Sequence, residues 1–285
     1  MNQVVAVIKY FFYGSIIMIT DLVNPNNYKS YYDNNNKVND PFVISLKKDI
    51  NKYTNTKHIL NNLKLNPIKF DAVNGKEIKE TKPSIFNKFK RLNDGEIGCF
   101  LSHLSVYYLA SLHKNKDQYT MIFEDDIGTD LNASEFKNKV DNIVKYNKNL
   151  IYLGKCAEFC KKINKIEDDI YEGYKPYCMH AYLIKNSFAS KVLNNIFSRN
   201  IISLPIDVII FASTQKQDII EYHPSIFYQD PKYASNLRSK LRQMANEFEC
   251  RDILQLPRRS ISIHFKKIII AVLLMVLLLI FILRK

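Results

Sequence analysis

The chain has 285 residues, with 41 basic and 28 acidic side chains, a net charge of +13 and 47% apolar residues. That is enough for one α/β domain of about 200 residues plus terminal segments. The lysines are scattered among asparagines instead of gathered with aromatics, so the charge steers anions without forming the shaped basic groove of a nucleic-acid binder.

The chain opens with an apolar stretch, residues 4–19, interrupted by Lys9 and Gly14 and lacking a basic leader or cleavage site. A signal anchor and a packed strand or helix both stay open. Residues 24–40, rich in Asn, Tyr and Asp around Pro25, read as a loop or linker, so residues 1–40 stand apart from a domain at 41–230. Within it, residues 42–46 predict a strand. Ile50, Tyr53, Leu60 and Leu63 predict a helix, and 68–73 a second strand. Asn93 and Glu96 stand at capping-box spacing, so a helix begins near Gly95 and carries a stripe of Ile97, Leu101, Leu104, Tyr108 and Leu112. Ser102 and His103 are polar residues beside that stripe, suited either to a packing hydrogen bond or to a substrate contact. A strand at 119–123 follows and runs into Glu124, Asp125 and Asp126.

Those three carboxylates are the strongest functional signal. Fold stability does not call for like charges at the end of a buried strand, whereas a hard divalent ion shared with substrate phosphates does. The competing reading is a solvated acidic turn. Alternation along the strand puts Glu124 and Asp126 on one side and Asp125 on the other, and Asp126, nearest the loop, is the expected metal ligand. Beyond it, residues 136–146 predict a helix, 150–153 and 181–184 strands, 186–197 a helix capped by Asn186, and 219–222 a last strand. Glu167, Asp168 and Asp169 read as a solvated loop. Alternating elements imply an α/β sheet covered by helices, with ligands beyond the carboxyl ends of its strands. No glycine-rich dinucleotide or P-loop pattern is present, which argues against NAD enzymes and kinases.

The five cysteines (Cys99, Cys156, Cys160, Cys178 and Cys250) form no paired C-x-x-C units, which argues against a structural zinc. On a helix Cys156 and Cys160 would share a face and could bond or bind metal, against a reading as incidental thiols. Residues 268–283 are sixteen unbroken apolar positions between Lys266–Lys267 and Arg284–Lys285. They predict a transmembrane tail anchor at 265–285, joined to the domain by a basic connector at 231–264. The positive-inside rule then favours a cytosolic domain on a single-pass membrane protein.

In order along the chain, PFVISL (41–46), DAVNGK (71–76), GEIGCFLSH (95–103), IFEDD (122–126), IYLG (151–154), HAYLI (180–184), PIDV (205–208) and YHPSIFYQ (222–229) resemble the blocks of glycosyltransferase family 25. This family includes lipooligosaccharide and collagen galactosyltransferases. Tyr107 stands where the family often has Trp, and Cys178 and Met179 replace small residues. The resemblance implies a GT-A-like nucleotide-sugar transferase fold with a mixed sheet. It implies a galactose or glucose moved from a UDP-sugar to a glycan, lipid-linked or protein hydroxyl, with Mn²⁺ or Mg²⁺ and inversion. Asp126 would ligate the metal with His223, while Glu124 and Asp125 would contact donor or metal waters. His103 and His180 would contact substrate, and Asp207 would be the general base, against its alternative as a helix cap. A catalytically inactive, membrane-tethered sugar-binding or scaffold protein of the same fold is the alternative, against which the intact acidic run counts.

Overall fold

An eight-stranded mixed sheet organises residues 19–32, 36–156, 158–159 and 162–233, the part of the chain described by this computed structural model. After β1 (Phe42–Ser45) come α1 (Ile50–Asn62), β2 (Ile68–Asp71), α2 (Gly75–Thr81) and the long α3 (Asp94–Leu112). The chain continues through β3 (Tyr119–Glu124), β4 (Ile127–Gly128), α4 (Ala133–Val144), β5 (Leu150–Gly154), β6 (Asn164–Glu167) and β7 (Ile170–Glu172). It finishes with β8 (Ala181–Lys185), α5 (Asn186–Phe197), α6 (Ile206–Ala212), β9 (Ile219–Tyr222) and β10 (Tyr228–Gln229). The strand order is β2-β1-β3-β8-β5-β9-β7-β6, with β4 and β10 forming a separate ribbon. Strands β1, β2, β3, β5 and β9 point the same way, and β8 runs against both its neighbours. The carboxyl ends of the five therefore gather along one edge, where the acidic run stands.

Both faces of the sheet are covered, which is why its central strands read as continuous apolar runs. Alternation sends Phe42, Ile44, Ile122, Tyr152 and Tyr182 into a core with α3 and α5, and Val43, Met121, Phe123, Ile151 and Leu183 into a core with α1 and α4. Ahead of β1, Tyr31 is buried in the first core, with its hydroxyl 2.5 Å from Thr120 Oγ1.

The capping box at α3 forms as its spacing predicts: Asn93 Oδ1 accepts from Glu96 N and Glu96 Oε2 from Asn93 N, each at 2.9 Å. The first turns of α2 and α3 then cross at two glycines. A Cβ on Gly98 would stand 2.6 Å from Val73 O and 2.9 Å from Gly75 N, and one on Gly75 would stand 1.7 Å from Asp94 O. Only hydrogen fits on either side. Ser102 locks the crossing by donating to Gly98 O at 2.7 Å and accepting from Val73 N at 2.8 Å. Of its two sequence readings, Ser102 takes the packing one.

Three expectations are corrected. No helix among the described residues is long and apolar enough to cross a membrane, and residues 265–285 lie outside them, so the transmembrane helix is removed from the fold class and the single-pass anchor from the localisation. The connector at 231–264 and the apolar stretch 4–19 also fall outside the described residues, except for Ile19 and 231–233. Asn186 is not the cap of α5 but its first residue. It is held inside instead, accepting from Thr120 Oγ1 at 2.7 Å and donating to Asn115 O at 3.0 Å. The acidic run at Glu167 is the turn of a β6–β7 hairpin, where Asp169 pairs with Lys139 at 2.5 Å.

Candidate active site

β3 ends at Glu124, and the next two residues turn toward β4 at the carboxyl edge of the sheet. Glu124 faces α3. Asp125 faces the other side, where Ser45 Oγ at the end of β1 donates to its Oδ2 at 2.7 Å. Asp126 is only 7% exposed, and its Oδ1 has no hydrogen-bond partner among the described residues. Burial, with the charges of Glu124 and Asp125 added, pushes the Asp126 carboxyl up to about 8. Burial also raises Asp125 to about 6, against the hydrogen bond from Ser45 and the charge of Lys52. A buried carboxylate oxygen left without a donor, beside two further carboxylates, is short of positive charge. The residues thus fit a hard divalent cation.

A chain of buried polar groups leads inward from Glu124. His103 Nε2 faces Glu124 Oε1 at 3.5 Å, and Nδ1 lies 2.8 Å from the Tyr182 hydroxyl. That hydroxyl is 2.8 Å from the Tyr107 hydroxyl, which donates to Met179 Sδ at 3.8 Å. Burial raises both phenols far above their usual range, so they stay protonated. On the outer side, Gln229 Nε2 stands 3.4 Å from Glu124 Oε2.

Of the other expected site residues, His180 is fully buried directly before β8, with Nε2 3.3 Å from Phe227 O. Its ring occupies the space that a side chain at residue 154 would fill, since a Cβ on Gly154 would be 2.4 Å from Nε2. Asp207 lies in the first turn of α6 and is 8% exposed. Its Oδ1 accepts from Val208 N at 2.8 Å and its Oδ2 from Cys178 N at 3.1 Å, so it anchors the loop before β8 as well as its own helix. It is not the N-cap, which is Pro205. The charge of Asp207 reaches the buried phenols of Tyr107 and Tyr152. His223 follows β9, three strands from β3 in the sheet order and thus about 14 Å away in strand spacing. Its ring meets the edge of Tyr171, and its backbone N–H donates to Asp169 O at 2.9 Å.

Sequence reasoning missed two features on the same edge. Cys156 pairs with Cys178, and Cys160 lies outside the described residues. Beside that disulfide, Lys155, Glu158 and Glu221 are all fully buried, with Lys155 Nζ donating to Glu158 Oε2 at 2.6 Å and to Glu221 Oε1. Burial first, then the neighbouring Glu158 carboxylate, push Glu221 well above the usual carboxylate range. The signal was present as a lysine directly after an apolar strand and a glutamate inside one, but nothing local joins residues 155 and 221. Cys156 Sγ lies 3.3 Å from Gln229 Oε1, so the disulfide touches the residue that contacts Glu124.

Two comparisons bear on this arrangement. Residues 38–210 match the family described as glycosyltransferase family 25 (LPS biosynthesis protein). A stretch of 153 residues is 28% identical to a protein of Acanthamoeba polyphaga mimivirus named procollagen lysyl hydroxylase and glycosyltransferase, covering 49% of this chain and 17% of that one. The chain therefore spans less than a fifth of that relative's length.

Proposed function

The chain belongs to glycosyltransferase family 25, and from that premise we propose that it moves galactose or glucose from a UDP-sugar to a hydroxyl of a glycan, lipid-linked or protein acceptor, with inversion and with Mn²⁺ or Mg²⁺ as cofactor. The observation that carries this reading is Asp126, buried at the carboxyl edge of the sheet with one oxygen unpartnered among the described residues and two carboxylates beside it. Asp126 would hold the ion, and Asp125, oriented by Ser45, would complete the acidic face toward the donor. The ion, when bound, supplies Lewis-acid neutralisation of the diphosphate leaving group. Glu124, on the α3 side of β3, is steadied between Gln229 and His103. Asp207 is assigned the acceptor proton: its two backbone hydrogen bonds fix the carboxylate and still leave lone pairs for a hydroxyl.

The test is UDP release by the purified chain with a panel of UDP-sugars and Mn²⁺, before and after chelation. Asp126→Ala should abolish release and remove the response to Mn²⁺. Release that is unchanged by Asp126→Ala, or absent with every donor, overturns the reading.

A further inference from the structure

We infer that Cys99, His103 and Glu124 form a second metal site, one that selects a borderline-soft divalent cation such as Zn²⁺ and ties α3 to the end of β3. One ligand atom from each residue lies within 4.8 Å of the other two. Cys99 and His103 are four residues apart on α3 and so share a face of the helix, turned toward the strand end. Bond lengths to zinc of about 2.0–2.3 Å place tetrahedral ligand atoms about 3.3–3.6 Å apart, and His103 Nε2 to Glu124 Oε1 is 3.5 Å.

The decisive observation is the direction of the buried hydrogen-bond chain. Met179 Sδ can only accept, so the Tyr107 hydroxyl proton points to it. Tyr182 then donates to Tyr107, and His103 donates from Nδ1 to Tyr182. In the neutral imidazole, a ring 1% exposed, this leaves Nε2 as a lone pair with no hydrogen-bond partner among the described residues, aimed at a carboxylate oxygen that is also an acceptor. Two acceptors face to face require a cation between them. A proton would need only these two groups; Cys99, half-buried and outside any disulfide, adds the third ligand that a metal uses. The Nδ1–H to Tyr182 bond is the outer-shell support that zinc-bound histidines carry. Thiolate and imidazole disfavour Mg²⁺ and Mn²⁺, so the carboxylate of Asp126 and this mixed set would sort hard from softer ions. On binding, the Cys99 thiol releases its proton to solvent and its sulfur pair forms the metal bond, while the imidazole Nε2 and a Glu124 carboxylate oxygen each donate a lone pair.

The experiment uses the purified full chain, stripped of metal and titrated with Co²⁺ and then Zn²⁺ in a reductant that does not chelate. One equivalent of Co²⁺ should raise a thiolate-to-cobalt charge-transfer band, Zn²⁺ should displace it, and Zn²⁺ should raise the melting temperature. Cys99→Ser should abolish the band while circular dichroism stays that of the parent, and Tyr182→Phe should weaken binding roughly tenfold. Asp126→Ala should keep the band, which separates this site from the donor cation whatever the fate of the transferase reading. No band in the parent chain, or a band that survives Cys99→Ser and so belongs to another thiol, overturns the proposal.

Discussion

Gly98→Ala tests whether the crossing of α2 and α3 is as tight as the geometry says. In an open helix the change would stabilise by about 1 kcal/mol, because Ala loses less backbone entropy than Gly. Here the new Cβ would stand 2.6 Å from Val73 O, where ordinary contact begins at 3.4 Å, so the two backbones must part by about 0.8 Å. Neither neighbour is a flexible side-chain end; both are main chain. Overpacking of this kind costs ~1–3 kcal/mol, and separation would also stretch the 2.8 Å bond from Val73 N to Ser102 Oγ, worth ~1 kcal/mol. Set against the propensity gain, the net loss is about 2 kcal/mol, or roughly 4–8 °C in melting temperature. Urea unfolding followed by circular dichroism measures it. A variant as stable as the parent, or more stable by the helix-propensity gain, would refute the reasoning. Gly75→Ala, with its Cβ 1.7 Å from Asp94 O, should be worse and yield little folded protein.

Lys155→Met should destabilise by about 3–5 kcal/mol in urea, since it strands Glu158 and Glu221 without their buried cation. Glu221→Gln should behave differently. The folded Glu221 carboxyl sits above its unfolded value of 4.5, so its contribution is complete below that value and is lost as pH rises through the raised one. The parent should therefore lose stability relative to the Gln variant as pH climbs from 5 to 8 (about the range in which small domains are usually most stable), and parallel curves would contradict the assignment. Asp207→Asn keeps an acceptor for the Cys178 amide, so the fold should survive with a loss of about 1 kcal/mol, while turnover falls by about 10²-fold or more if the carboxylate takes the acceptor proton. Turnover within a few-fold of the parent would leave Asp207 as a loop anchor alone.

What could be read in the sequence was what repeats with a local period. The capping box of α3, the strand end at Glu124 and the alternation that parts Glu124 from Asp125 are set by residues within a turn or two of one another, and each forms where its spacing places it. The glycines of DAVNGK and GEIGC were legible as marks of a family but not as a pair, because their reason is a contact between two helices 23 positions apart in the chain (75 to 98). Asn186 misled for the same cause: its cap-forming side chain found better partners on Thr120 and Asn115, supplied by the neighbouring strand and loop. The Cys156–Cys178 bond, the Lys155–Glu221 pair and the Cys99–His103–Glu124 cluster join residues brought together only when β5, β8 and β9, and the N-terminal half of α3 and the end of β3, meet. Burial then changes their chemistry. A lysine on a surface loop is a solvated charge, but Lys155 under the carboxyl edge has to be answered by two carboxylates, one of them pushed toward protonation. The same logic runs outward at Asp126, where burial leaves Oδ1 without a partner among the described residues beside the charges of Glu124 and Asp125, the deficit of positive charge on which the proposed cation reading rests.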